Sequence, residues 1–182
     1  DVLENPEEVL TAAEEAITEY PDVSGNVEIR VQNIPEIEVK EISELSPRKD
    51  RNKLITVEGV LEATTEPKGE LVSGVFECVQ CGSRYRKEQD SAKPKSPYKC
   101  ECGSRKFEVA DLDYETVVMA RLKDKPGKTS RKTLSVKIAG ELAEDRDKNI
   151  DSTGQGIRVT GYIELYKAKR NADHLNLRMV AN

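Results

Sequence analysis

Alternating apolar residues, glycine-marked bends and two close pairs of cysteines predict a mainly β fold for this chain of 182 residues. The predicted architecture is an OB-fold, a Greek-key barrel, with an inserted zinc-ribbon module and an N-terminal helix. Alternation is clearest at Leu134, Val136 and Ile138 and along residues 157–165. About five strands of this kind suit a small barrel, although sandwich and other barrel topologies fit the same pattern.

The chain opens on an amphipathic helix, which we predict over residues 5–20. Asn5 is a suitable cap, Pro6 suits the first helical position, and Glu8 stands three residues after the cap. Apolar side chains recur at helical spacing, so one face of the helix is expected to be buried. These side chains belong to Val9, Ala13, Ala16, Ile17 and Tyr20.

From residue 27 onward the pattern is that of strands separated by turns. Gly59 lies inside one predicted strand, residues 53–65, where a glycine often marks a bulge or a sharp bend. The other predicted strands cover residues 27–31, 34–39, 71–77, 107–109, 115–122, 133–139, 157–165 and 175–180. We therefore predict four parts: a helical segment and linker (1–26), the first part of the barrel (27–76), a zinc-binding module (77–108), and the rest of the barrel (109–182) with a basic hairpin near 166–174.

Four cysteines form two closely spaced pairs of the kind that bind zinc. Two residues separate Cys78 from Cys81, and one residue separates Cys100 from Cys102, which follow after a gap of 18 residues. A glycine follows each pair and allows a tight turn in which backbone amides point at the thiolate sulfurs. Four thiolates complete the tetrahedral coordination of one Zn²⁺ per chain, so the predicted site is structural and not catalytic.

Two other uses of the cysteines fit the same residues, namely a redox dithiol and a pair of disulfides. A redox dithiol typically stands at the start of a helix, and no helix is predicted there. Disulfides are rare in the cytoplasm, where we expect this chain because no signal peptide is visible. No apolar run approaches the roughly 20 residues that cross a bilayer, so no membrane partner is expected.

Positive charge is concentrated in clusters. The net charge is −5, but nine acidic residues precede Arg30, the first basic residue, which leaves 29 basic against 25 acidic residues after that point. Lys167, Lys169 and Arg170 lie between two predicted strands, at a hairpin tip where long cationic side chains can meet phosphates of DNA. By charge alone, any one such cluster is more simply explained as the solvated surface of a loop. The other clusters are Arg48, Lys49, Arg51 and Lys53, and Arg121, Lys123, Lys125, Lys128, Arg131 and Lys132.

No catalytic site is predicted in this chain. It has one histidine and lacks the G-x-x-x-x-G-K-[ST] phosphate loop, so neither a histidine-based triad nor a nucleotide hydrolase is supported. Aromatic residues that could stack on bases are sparse, which favours contacts to the nucleic-acid backbone. The candidates are Tyr85, Tyr98, Tyr162 and Tyr166.

The order of these parts resembles the N-terminal domain of an archaeal minichromosome maintenance (MCM) replicative DNA helicase. Residues 3–16 look like the last helix of the family's helical subdomain, and residues 54–60, Leu-Ile-Thr-Val-Glu-Gly-Val, resemble its first barrel strand. Residues 75–107 look like its zinc subdomain. Residues 121–126, Arg-Leu-Lys-Asp-Lys-Pro, and residues 157–161, Ile-Arg-Val-Thr-Gly, resemble two further family motifs, with Lys-Asp where the first motif has Gln-Glu.

The resemblance implies a ring, commonly a hexamer, with single- or double-stranded DNA in its central channel. It implies that the hairpin with Lys167, Lys169 and Arg170 faces the channel, and that Arg121 and Arg131 lie near positions where the family binds single strands. ATP would bind only in a C-terminal domain that is absent here, in a nucleoid-associated cytoplasmic protein. Two other functions fit the residues: a zinc-ribbon/OB module that binds RNA in translation or RNA processing, and a protein-interaction scaffold.

Overall fold

A computed structural model describes residues 1–18, 20–22, 27–32, 37–127, 132–144, 153–167 and 176–182. The elements lie close to the predicted ones. The helices are α1 (Pro6–Thr18), α2 (Glu141–Glu144) and a short 3-10 helix (Ile42–Glu44). The strands are β1 (Val39–Glu41), β2 (Leu54–Thr64), β3 (Lys68–Cys78), β4 (Arg84–Glu88), β5 (Phe107–Lys123), β6 (Thr133–Ala139), β7 (Gly156–Tyr166) and β8 (Asn176–Ala181).

The chain divides into two compact units. The first consists of Asp1–Glu66, Met119–Ile138 and Asp147–Asn182, and the second of Pro67–Val118 and Ala139–Arg146. The second unit contains β3, β4 and most of β5, whose last residues belong to the first unit. The four-part division expected from the sequence places its boundaries elsewhere and stays a prediction.

Five strands close into a ring, of which β2, β7 and β8 lie wholly in the first unit. Around the ring, β2 is bonded to β7, β7 to β8, β8 to β6, β6 to β5, and β5 back to β2. The pairs β2–β7, β7–β8 and β2–β5 are antiparallel, whereas β6 and β8 are parallel. Five strands closed in this order form a Greek-key barrel of the OB type, so the predicted mainly β fold class is confirmed.

The barrel core follows directly from the alternation in the sequence. On β6, Leu134, Val136 and Ile138 are buried, while the residues between them are partly exposed. Ile163 on β7 and Met179 on β8 are equally buried. Because successive side chains of a strand point to opposite faces, β6 contributes one apolar row to the interior.

Some sequence expectations need correction. The apolar face of α1 is open: Val9 and Ile17 are 37% and 38% exposed, Tyr20 beyond the helix is 67% exposed, and Pro6 is the one buried residue of the helix. Helical spacing predicts which side chains share a face, but burial also requires a partner element.

Residues 27–31 form no strand, and the two strands predicted at 107–109 and 115–122 are one continuous strand, β5.

Strand β4 was not predicted. Its residues, Arg-Tyr-Arg-Lys-Glu, carry charges at four of five positions, so they show no apolar row for a core. The strand forms because it pairs antiparallel with β3 along five residues from Ser73–Glu88 to Glu77–Arg84. Charged side chains on such an edge strand also oppose pairing with other chains.

Candidate metal centre and basic hairpin

The first cysteine pair lies on a tight turn at the end of β3. The backbone N–H of Cys78 donates to the carbonyl of Ser83 (2.9 Å), and the N–H of Gly82 donates to the carbonyl of Cys78 (2.8 Å). Gly82 has a φ of 74°, in the left-handed region that favours glycine. The turn holds Cys78 buried and leaves Cys81 on its exposed side.

The second pair repeats this arrangement with a shorter turn. The N–H of Cys100 donates to the carbonyl of Ser104 (2.8 Å), and the N–H of Gly103 donates to the carbonyl of Cys100 (2.9 Å). Gly103 has a φ of 91°. With one residue between the cysteines, Cys100 is buried and Cys102 is exposed, as in the first pair.

The two turns bring the four sulfurs together. All four Sγ atoms lie within 4.8 Å of one another, with 3.4 Å between Cys81 and Cys100 and 3.7 Å between Cys78 and Cys102. A tetrahedron with Zn–S bonds of about 2.3 Å has sulfur–sulfur edges of about 3.8 Å. These cysteines can therefore hold a metal ion, and all four are free thiols and not disulfides.

The four thiols differ in pKa because their surroundings differ. Burial raises the pKa of Cys78, but hydrogen bonds from the backbone N–H groups of Cys81 and Gln80 and from the Cys100 and Cys81 thiols together lower it to about 6. At Cys102 the backbone N–H of Ser104 lowers the pKa, but burial and the other three cysteines raise it to about 12. Four thiolates this close repel each other, and a divalent cation is the natural way to stabilise all of them.

Tyr85 on β4 contacts the four-cysteine site, a role that the sequence did not indicate. Its hydroxyl lies 3.2 Å from the Sγ of Cys100 and accepts a hydrogen bond from the N–H of Glu101 (3.3 Å). Its ring packs edge-on against Phe107, with 5.9 Å between centroids. Contact with Cys100 raises the pKa of the Tyr85 hydroxyl, which keeps this group protonated and able to donate. Tyr85 is therefore placed to support the candidate metal site, and its predicted role as a base-stacking residue stays a prediction.

The hairpin that was predicted to bind DNA lies between β7 and β8. These strands pair antiparallel as far as Tyr166 and Asn176, so residues 167–175 connect them. Lys167, the first connecting residue, is exposed. Lys169 and Arg170, and likewise Arg131, lie outside the described residues.

Arg121 lies on β5, exposed to solvent and beside β2. Its Nε is 3.4 Å from the carboxylate of Glu62, and the two side chains are 59% and 39% exposed. An ion pair this exposed contributes little stability, so the guanidinium remains able to exchange its partner for a phosphate.

A second, tighter charge cluster on the barrel was not predicted. The carboxylate of Glu58 on β2 accepts hydrogen bonds from Lys125 and from Arg158 on β7. Both contacts lower the pKa of Glu58, and the contact with Lys125 has the larger effect. Lys125 belongs to the second basic cluster of the sequence, so part of that cluster's charge is neutralised within the barrel. Pairing across strands, which the sequence does not display, produces this cluster.

A closed OB barrel with a four-cysteine module inserted after its first strand defines a class of OB proteins with an inserted cysteine module. Residues 41–167 match the family model described as the MCM OB domain, so the chain belongs to that family. The chain is also similar to a solved structure, described as the 1.8 Å crystal structure of the N-terminal domain of an archaeal MCM. The TM-score is 0.77 at 20% sequence identity, with 99% of this chain and 76% of that chain covered.

A search among curated proteins finds no match. The family match confirms the resemblance to an MCM N-terminal domain and does not favour the RNA-binding alternative. In the described part of the chain, the helices are too short or too polar to cross a membrane.

Proposed function

We propose that this chain is the DNA-binding, ring-forming N-terminal platform of a replicative MCM helicase. The observation that carries the proposal is the family match over residues 41–167, which covers the barrel strands β2, β5, β6 and β7 and extends to Lys167 at the start of the hairpin. The chain forms a ring, a hexamer, whose central channel holds single- or double-stranded DNA. ATP hydrolysis and unwinding belong to a C-terminal domain of the full-length protein. The N-terminal platform supplies assembly and DNA contacts.

The four-cysteine module holds one structural Zn²⁺. An all-sulfur donor set whose four sulfurs lie within 4.8 Å of one another suits zinc, and four thiolate ligands leave no position for a substrate or a water. The ion would supply folding energy and cross-link the two turns. We assign it no catalytic step.

DNA binds through the hairpin cations, with Arg121 and Arg131 as further contacts. Lys167, Lys169 and Arg170 provide three positive charges on a nine-residue connection between paired strands. Contacts of this kind neutralise phosphates and read no base sequence. Their signature is therefore a strong dependence of affinity on salt and a weak dependence on sequence.

Replacing Lys167 and Arg170 together with alanine should weaken DNA binding about equally for all sequences. Because each phosphate contact releases counterions, the slope of log affinity against log salt should become flatter by about 1–2 units. Fluorescence anisotropy with labelled single- and double-stranded oligonucleotides over a range of salt measures both quantities. The matched control is the double variant Arg48→Ala/Lys49→Ala, two exposed cations outside the hairpin, for which a smaller loss is expected. Unchanged affinity and slope in the hairpin variant would reject the channel-facing hairpin.

The proposed ring requires that the chain self-associates in solution. Sedimentation velocity over a range of concentrations should show assemblies larger than the 20.3 kDa monomer, and single-stranded DNA should increase their fraction. High salt should reduce the assembled fraction, because it screens the attraction between the acidic N-terminal segment and the basic loops. Monomer alone at high concentration, with and without DNA, would contradict the ring-forming role of this chain.

A further inference from the structure

The four-cysteine module carries an excess of positive charge within an acidic chain. Residues 84–106 contain eight basic and three acidic residues, a net charge of +5, whereas the whole chain has −5. A Zn²⁺ with four thiolates has a formal charge of −2, so the segment remains positive when the metal is bound. This concentration of charge is not explained by the hairpin or by the metal centre.

Four of these eight cations already have a partner. Arg84, Arg86 and Lys95 form ion pairs, and Lys87 donates a hydrogen bond to a backbone carbonyl. In the described part of the chain, the side chains of Lys93, Lys99 and Lys106 have no acidic partner. The fourth remaining cation, Arg105, instead lies over an aromatic ring, with its Cζ 4.6 Å from the ring centroid.

That ring belongs to Tyr98, which is 76% exposed, more than any other large hydrophobic residue in the described part of the chain. Unlike Tyr85, its hydroxyl has no contact with the metal centre. With Arg105 over the ring and the rest of the side chain in water, the ring has room for a second stacking partner. Lys99 follows it directly in the chain, and Lys106 follows Arg105.

The loop before Tyr98 is held in place by its own hydrogen bonds. The side-chain amide of Gln89 makes two hydrogen bonds to the backbone of Lys95. Its Nε2 donates to the Lys95 carbonyl (3.2 Å), and its Oε1 accepts from the Lys95 N–H (2.7 Å). Pro94 and Pro97 restrict the backbone of this loop further. A fixed aromatic ring loses little conformational entropy when a ligand stacks on it.

We propose that Tyr98 and Arg105 form a stacking platform on which a base of single-stranded DNA lies, while Lys99 and Lys106 neutralise the adjacent phosphates. Aromatic rings combined with nearby cations are the usual means of holding single strands without sequence preference, because every base has a π face. Arg105 adds a cation–π contact on the tyrosine. The proposal rests on the proposed DNA-binding function and adds a second contact, on the zinc module, to that of the hairpin.

Replacing Tyr98 with alanine should weaken binding of an oligo-dT strand about five- to 150-fold, the range that corresponds to losing one stacked base. Tyr98→Phe keeps the ring and should bind like the unchanged chain. The slope against salt should stay the same in both variants, because the ring neutralises no phosphate. Tyr114→Ala is the matched control, since Tyr114 is also exposed (59%) and belongs to the same unit. An equal loss in Tyr98→Ala and Tyr114→Ala, or no loss in either, overturns the platform.

A second measurement detects stacking directly. The chain has no tryptophan, so Tyr98→Trp places a single fluorescent reporter in the platform. Oligo-dT should quench its emission, whereas a strand of abasic sites, which keeps the phosphates and lacks the bases, should not. Equal quenching by both strands, or none, overturns base stacking.

If the unchanged chain binds DNA and its binding responds to the hairpin substitutions while substitution of Tyr98 has no effect, this inference alone fails. If the unchanged chain binds no DNA, the proposed function fails with it.

Discussion

Replacing Cys100 with serine should release the metal and unfold the four-cysteine module, while the barrel stays folded. Cys100 is buried, and its Sγ lies 3.4 Å from that of Cys81 and 3.2 Å from the Tyr85 hydroxyl. Serine oxygen is a poor replacement for thiolate in a structural zinc site. Between residues 79 and 106 the only buried side chain is that of Cys100, so without metal this segment has little else to hold it.

The barrel should be unaffected because its core is separate. Leu54, Leu134, Ile163 and Met179 are buried in the first unit, which has a hydrophobic interior of its own. Hydrogen exchange monitored along the chain should therefore show loss of protection near the cysteines and unchanged protection on β6 and β8.

Metal analysis should give one equivalent of zinc for the unchanged chain and far less for Cys100→Ser. The matched control is Val79→Ser, which introduces the same residue at an exposed position between the first two cysteines and should retain the metal. Less than half an equivalent of zinc in carefully prepared unchanged protein, or full zinc in Cys100→Ser, would contradict the assignment.

Replacing Gly161 with alanine should destabilise the barrel by about 3 kcal/mol, because the new methyl group has no space. Its Cβ would lie 2.1 Å from the carbonyl oxygen of Val180 and 2.9 Å from the carbonyl carbon. Both atoms belong to the backbone of β8, so no side-chain rotation can relieve the overlap. The strands would have to separate where Gly161 pairs with Ala181 and Tyr162 with Val180.

Gly156→Ala is the control, since Gly156 begins the same strand and no atom lies within 4 Å of the added Cβ. This variant should differ from the unchanged chain by no more than about 0.5 kcal/mol. Chemical denaturation monitored by circular dichroism measures both free energies of unfolding. Similar values for the two variants would show that β7 and β8 are not as close at Gly161 as the structure indicates.

The sequence by itself determined the elements whose signals are local. Alternation on β6 and β7 predicted which side chains enter the core, and Leu134, Val136 and Ile138 are all buried there. The spacing of Cys78, Cys81, Cys100 and Cys102, with a glycine after each pair, predicted a site that the structure gathers within 4.8 Å. Short-range patterns of this kind are readable because strand periodicity and tight turns depend on adjacent residues.

Only the tertiary structure decided the features that depend on pairing between distant segments. It showed that β5 returns to β2 and that β6 lies parallel to β8, which together close the barrel. It placed the Tyr85 hydroxyl beside Cys100, 15 residues away, and the Arg158 guanidinium beside Glu58, 100 residues away. It also left the apolar face of α1 open, although the helix itself was predictable. Periodicity within a segment reveals which side chains share a face, but which partner meets that face depends on the packing of the whole chain, because burial is a property of both surfaces in contact.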